Sequence, residues 1–262
     1  MRDLLDLDRY PLHQPGSAAW LALVDRCRAD LDREGMFDLD GFVRPEAVER
    51  TIAEVKPVLD TLSFVHRRAH NVYFRKDVPE LPADHPVLAK VETISHTVCA
   101  DQIAGSVPVW IYEWPHFAVF LAACMQKETL FTMRDPLARV NVMGYREGEA
   151  LNWHFDRSEF TTTILFQKPD QGGDFQYRSN LRSDTDPNYD GVVKVLRGED
   201  PEVRTLSLKP GSLNVFKGKN TMHRVTPVKG EKERLIAVYS YYERPGVTFT
   251  KEEQMGFYGR AA

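Results

Sequence analysis

Three cysteines in 262 residues, Cys27, Cys99 and Cys124, are odd in number, far apart and without CxxC spacing. This excludes a disulfide framework and a thiolate metal site, and it fits a reducing, cytoplasmic setting. No long hydrophobic run is present; the longest apolar stretch, Phe117 to Met125, is about half a membrane span. The first residues, MRDLLDLDRYPL, are too acidic and interrupted for a signal peptide, so a soluble protein that is not exported is expected. Charge of one sign is also lacking. Thirty-eight acidic against 34 basic residues, spread along the chain, give a net charge of −4, which leaves no basic field to track a nucleic acid or an anionic membrane. Internal repeats, low-complexity tracts and Gly/Ser/Pro linkers are absent as well, which favours one undivided domain over 1–262.

What is present changes character along the chain. From Ser17, a predicted N-cap, to Arg33, the residues Trp20, Leu21, Val24, Cys27 and Leu31 recur at helical spacing, and Gly35 ends the pattern. MFDLDGFV alternates like a strand. Pro45 sits at a first-turn position of a second helix reaching Leu59, unless Pro57 stops it sooner. Two further helices are expected at Pro86 to Asp101 and Trp114 to Lys127. Beyond Leu137 come eight short β-rich runs: RVNVMGY, ALNWHFD, FTTTILFQ, GGDFQYR, VRTLSL, GSLNVFKG, MHRVTPV and RLIAVYSYY. The expected fold is therefore α+β, a jelly-roll barrel (137–245) buttressed by a helical first half (1–136), with a C-terminal tail (246–262). The segment from Asn180 to Asp200 reads as a long irregular loop over one barrel mouth.

Within ALNWHFD, His154 and Asp156 are two apart, and a strand's pleat would turn both to one face. HxD alone is common by chance and usually marks a wetted strand. The only histidine after residue 156 is His223, and a barrel would have to return it to the pair. Two imidazoles and one carboxylate on one face of an octahedral metal suit non-haem Fe(II), leaving three positions for an oxo acid and O₂. Arg234 opens the apolar run RLIAVYSYY, where an arginine is costly unless it meets an anion, and its planar fork matches a carboxylate. A surface arginine beside Glu233 is the competing reading. Tyr145, nine residues before His154 on the run RVNVMGY, is placed to share such a carboxylate.

The order Tyr145, His154-Phe155-Asp156, Gly172-Gly173-Asp174-Phe175, Pro210-Gly211-Ser212, Phe216, His223-Arg224-Val225-Thr226-Pro227-Val228 and Arg234 resembles the 2-oxoglutarate/Fe(II) dioxygenase superfamily near its prolyl-4-hydroxylase-like branch. LNWHFDRSEFTTTILFQ, GGDFQYR, the NYDG insert, SYYERPG, GMFDLDGFVRPEAVERTIAEV and HNVYF are similar to the BesD-like radical amino-acid halogenase and hydroxylase family. The resemblance implies a double-stranded β-helix, catalytic Fe(II) held by His154, Asp156 and His223, 2-oxoglutarate anchored by Arg234 with Tyr145, and O₂ as co-substrate. In halogenating members the carboxylate ligand is replaced by glycine, which opens a place for chloride. Here Asp156 is retained, so hydroxylation or another C–H oxidation without halogen is expected.

The substrate implied is small, a free amino acid, with a peptidyl side chain or secondary-metabolite scaffold as the alternative and a non-catalytic cupin-like binding protein as the reading from another class. In HRRAHNVYFRKD, Arg75 is the expected carboxylate partner by analogy, with Asn71 and Tyr73 beside it and His70 as the one upstream histidine in a site-like context. Asn152 shares a predicted face with His154, and Arg157 and Glu159 follow Asp156. Strand alternation from Arg234 carries Ser240 toward the co-substrate and Tyr242 toward the substrate. For all of these, packing or solvated charge is the competing reading. No nucleic acid or membrane partner is expected, and a homodimer remains open.

Overall fold

A computed structural model describes residues 1–75 and 78–262. Lys76 and Asp77, the end of the HRRAHNVYFRKD string, lie outside the described residues. In chain order the elements are α1 (Ala18–Glu34), β1 (Met36–Leu39), α2 (Pro45–Leu62), β2 (Phe64–His70), β3 (Val91–Cys99), α3 (Val107–Glu113), α4 (Pro115–Cys124), β4 (Phe131–Thr132), β5 (Val140–Tyr145), β6 (Leu151–His154), β7 (Thr161–Gln167), β8 (Gln171–Gly172), β9 (Phe175–Arg178), α5 (Tyr189–Arg197), β10 (Arg204–Leu206), β11 (Leu213–Phe216), β12 (Met222–Val225), β13 (Val228–Lys229), β14 (Arg234–Tyr239), β15 (Tyr241–Tyr242) and α6 (Lys251–Tyr258). None of the described helices is long and apolar enough to cross a membrane.

Local chemistry explains the first elements. The Ser17 hydroxyl accepts from the Trp20 amide to cap α1, and Gly35, at φ 73°, ends the helix in a left-handed turn that suits glycine. The buried face of α1 is Trp20, Leu23, Val24, Cys27 and Leu31, while Leu21 points outward. Pro57 does not stop α2, which continues to Leu62.

Seven antiparallel strands form the larger sheet in the order β1-β11-β7-β14-β5-β3-β2, and four form the smaller, β10-β9-β12-β6. The α+β, double-stranded β-helix expectation therefore holds, but three strands of the larger sheet come from the first half. The helix expected over Pro86 to Asp101 is instead a short turn at 86–88 followed by β3. The run VETISHTVC is rich in β-branched residues, and its backbone pairs with β2 on one side and β5 on the other. The last helix expected in the first half is shorter than predicted, and α3 precedes it.

Alternation divides the larger sheet into two faces. Val140, Val142, Ile164, Phe166, Leu213, Val215, Leu235 and Ala237 pack against the helices in the main core. Met143, Tyr145, Thr163, Asn214, Arg234 and Ile236 point the other way, into the space between the two sheets. Asn180 to Asp200 is not irregular throughout. Its Tyr189–Arg197 stretch folds into α5, capped by Asn188, and Val192 and Val195 join Val72, Phe155 and Met222 in a second core that braces the smaller sheet.

Candidate active site

The space between the sheets holds a cavity of about 170 Å³ lined by His154, Asp156, His223, Tyr145 and Arg234 together with apolar side chains. One donor atom from each of His154, Asp156 and His223 lies within 4.8 Å of the others. His154 Nε2 is 3.3 Å from Asp156 Oδ1, and His223 Nε2 is 3.5 Å from Asp156 Oδ2. Each imidazole uses Nδ1 to meet a backbone carbonyl, Asn152 O at 2.8 Å and Thr221 O at 2.9 Å. That bond makes Nδ1 the protonated nitrogen and leaves the Nε2 lone pairs facing one point, as metal ligation requires. Burial, reinforced by His154, lowers the pKa of His223 to about 4, so its ring is neutral at ordinary pH. Burial opposes ionisation of Asp156, but His223, His154 and the Thr161 hydroxyl outweigh it and hold the carboxyl below its usual range.

The pair was predicted to share a face through the strand pleat, and this is not how it is built. β6 ends at His154, and Asp156 is brought in by the turn that follows: its amide donates to Gly218 O at 3.0 Å, and Thr161 Oγ1 donates to Oδ2 at 2.5 Å. A Cβ on Gly218 would collide with Asp156 Oδ2 and Thr161 Oγ1, so the missing side chain makes room for the carboxylate. On β6 the alternation is broken too. His223 pairs with His154 and Val225 with Leu151, so three steps on β6 oppose two on β12, a β-bulge. Leu151 thereby lines the cavity and Asn152 leaves it; the Asn152 side chain bonds to Glu92 O and Thr93 Oγ1 on β3.

Arg234 is 2% exposed. Its Nε donates to Gly173 O at 3.0 Å, its Nη1 has no partner, and among the described residues it forms no ion pair. Glu233, its rival partner, faces away to Lys56 and Arg146 at 3.3 and 3.1 Å. An unpaired buried guanidinium costs several kcal/mol unless an anion joins it. The Arg234 pKa falls to about 10 through burial, and Tyr145, its cross-strand neighbour, rises to about 12 for the same reason. The donor set thus fits a divalent iron, and the orphaned arginine fits a carboxylate-bearing co-substrate in the same cavity.

A second cavity, of about 250 Å³, shares Met143, Leu151, His154 and Asp156 with the first and opens between β2, β3 and α6. Arg157 reaches it, as expected. The other predicted substrate residues do not. Arg75 is exposed, and Asn71 is buried as a turn organiser, accepting from the Tyr73 and Arg75 amides and donating to Arg75 O. Tyr73 stacks on Phe155 at 5.5 Å and donates to Pro187 O, outside the site. His70 is satisfied by Asn71 O and Thr93 Oγ1, a packed histidine. Glu159 pairs with Lys127 at 2.7 Å. Alternation from Arg234 keeps Ile236 and Val238 in the cavity but ends with β14: the Ser240 backbone bonds to Arg139 and Tyr112, and Tyr242 lines a separate cavity of about 290 Å³ beyond Arg157.

The basic string offered Arg68 as well as Arg75, and it is Arg68 that lines the second cavity; Phe74, Phe257 and Tyr258, which line it too, had no sequence signal assigned to them. Residues 246–262, read as a tail, contain α6. Thr250 and Glu253 form a reciprocal capping box, a pattern visible in TKEE that would have located the helix.

This sheet sandwich and this site define the class of 2-oxoglutarate- and Fe(II)-dependent oxygenases. The chain belongs to the Halogenase D family, whose family model matches residues 21–255. A search of curated proteins finds no match. In fold it is similar to the non-heme alpha ketoglutarate dependent epimerase SnoN from nogalamycin biosynthesis (14% identity, TM-score 0.57, 85% of this chain and 83% of that one). It is also similar to AviO1 from Streptomyces viridochromogenes Tue57 (14%, 0.56, 86% and 97%) and to a 2OG-Fe(II) oxygenase family oxidoreductase from Burkholderia pseudomallei (14%, 0.52, 89% and 94%).

Proposed function

We propose that the whole chain is one oxygenase domain that binds Fe(II) through His154, Asp156 and His223 and 2-oxoglutarate through Arg234 and Tyr145, and that it hydroxylates a small substrate, a free amino acid. The observation that carries this reading is Arg234: a buried, unpaired guanidinium in the same cavity as a His-Asp-His set. A merely metal-binding cupin-like protein has no use for that charge. The bound iron would supply O₂ activation and C–H oxidation coupled to decarboxylation of 2-oxoglutarate to succinate and CO₂.

The protein's own contribution is placement. Nδ1 bonds to Asn152 O and Thr221 O keep both imidazoles aimed, and Thr161 fixes one carboxylate oxygen. Three protein ligands on an octahedral iron would leave three positions for co-substrate and O₂. Apolar walls such as Ile236, Val225 and Leu208 exclude water around the Arg234 end. Substrate enters from the second cavity, so the carbon nearest the His154 and Asp156 edge is the one oxidised.

The BesD-like resemblance and the Halogenase D family leave halogenation as the rival outcome. The retained Asp156 supports hydroxylation, because a carboxylate ligand would occupy a position that chloride would otherwise need. Anaerobic titration of the iron-loaded protein with 2-oxoglutarate should produce a weak visible charge-transfer band; a folded, iron-loaded protein without that band rejects the oxygenase reading. Mass spectrometry of products from pooled amino acids should show a gain of one oxygen, and a chlorinated product in chloride buffer would reject the hydroxylase assignment.

A further inference from the structure

The substrate cavity has its own charge, independent of the co-substrate anchor. β2 is an edge strand whose inward row is Phe64, His66, Arg68 and His70, and its register with β3 sets Arg68 opposite Thr93 and His66 opposite Ser95. Arg68 is half-buried, forms no hydrogen bond or ion pair among the described residues, and lies over the Phe74 ring at 4.5 Å and the Phe257 ring at 6.0 Å. Two aromatic faces restrict the guanidinium to one plane, a preorganised fork without a carboxylate. Arg157 lines the same cavity from the turn after Asp156, exposed and likewise without an ion-pair partner, close enough to repel Arg68. Its neighbour Glu159 is turned away to Lys127. Among the described lining residues the only carboxylate is Asp156, which belongs to the metal set.

Two unpaired arginines facing one small cavity repel each other until an anion joins them, and a cationic side chain brought between them would add a third like charge. Resting on the oxygenase reading above, we infer that the substrate carries two acidic groups, the class of acidic amino acids, with one carboxylate on Arg68 and the second, carboxylate or phosphate, on Arg157. The ammonium then meets neutral oxygen. Ser95 Oγ is buried in the cavity wall, has no partner among the described residues and is placed to accept from it.

The test is calorimetric binding under anaerobic conditions to protein loaded with Fe(II) and saturated with 2-oxoglutarate, so that the Arg234 anchor is already filled. L-aspartate, L-glutamate and O-phospho-L-serine are compared with L-leucine and L-lysine. At least one acidic ligand should bind tenfold or more tightly than both L-leucine and L-lysine. Arg68→Met should weaken that ligand by tenfold or more, Arg68→Lys by less, and Arg157→Gln should weaken acidic ligands while leaving L-leucine unchanged. Tightest binding of O-phospho-L-serine would assign phosphate to the second subsite, and tightest binding of L-glutamate or L-aspartate would assign carboxylate. L-lysine or L-leucine binding as tightly as the acidic ligands, or unchanged acidic binding in a folded Arg68→Met variant, overturns the inference. Because the charge-transfer band with 2-oxoglutarate is measured first, its loss rejects the oxygenase reading, whereas a normal band with no acid preference rejects only the substrate class.

Discussion

Arg234 and Gly218 show how single residues set this site. Arg234 is buried with one neutral acceptor, Gly173 O, and a free Nη1. A bond from such a charge to a ligand carboxylate contributes roughly 1.5–3 kcal/mol, so Arg234→Met should raise the KM for 2-oxoglutarate by about 10- to 100-fold. Iron binding, followed by metal titration, should change little. Equal loss of both affinities would mean that Arg234 supports the fold rather than the co-substrate. Gly218 acts through space it leaves empty. Gly218→Ala must push Asp156 or Thr161 aside, so iron affinity should fall by about 10-fold or more, the scale of disturbed support to a metal ligand, while the circular dichroism spectrum is retained.

At the scale of elements, the edge of the site is made by β2, the β6 bulge and α6. The bulge turns Asn152 out to β3 and Leu151 in, so one extra residue on β6 decides which neighbour of His154 lines the cavity. α6 brings Phe257 against Arg68 and Tyr258 into the same wall. Its capping box should contribute about 1 kcal/mol through Thr250, and Thr250→Ala should loosen the helix by that amount. Because α6 touches the substrate cavity and not the Arg234 cavity, the variant should raise the substrate KM more than the 2-oxoglutarate KM. Steady-state kinetics with each varied in turn separates the two, and an equal rise would detach α6 from substrate binding.

Across the whole molecule, a buried neutral histidine couples folding to pH. Burial, aided by His154, lowers the pKa of His70 to about 4, below its ordinary value near 6.5. Between pH 6.5 and 4 the unfolded chain takes up a proton at this residue that the folded chain refuses. Stability from His70 is therefore complete above pH 6.5 and lost as pH falls toward 4. The melting temperature of the metal-free protein should drop over that window, where His223 contributes as well, and His70→Gln should make the drop smaller; parallel curves for the two proteins would dismiss the coupling.

The residues of the site were legible one by one, because their chemistry is carried by side-chain type: two imidazoles and a carboxylate for iron, and an arginine with no reason to enter an apolar strand unless an anion waits there. Strand identity from Val140 onward was legible for a similar reason, since β-branched and aromatic residues alternate between turn signals. Tertiary structure decided the rest. β3 reads as a helix until pairing with β2 and β5 overrides its local pattern. Asn152 and Ser240 follow the pleat on paper and escape it where a bulge and a strand end break the period. Arg75 and Arg68 sit seven residues apart in one basic string, and only the register of β2 against β3 shows which of them faces the second cavity. Residue type determines what a side chain can do, and long-range pairing determines what it meets, which is why the sequence by itself pointed to the His-Asp-His set while the fold selected which arginine lines the second cavity.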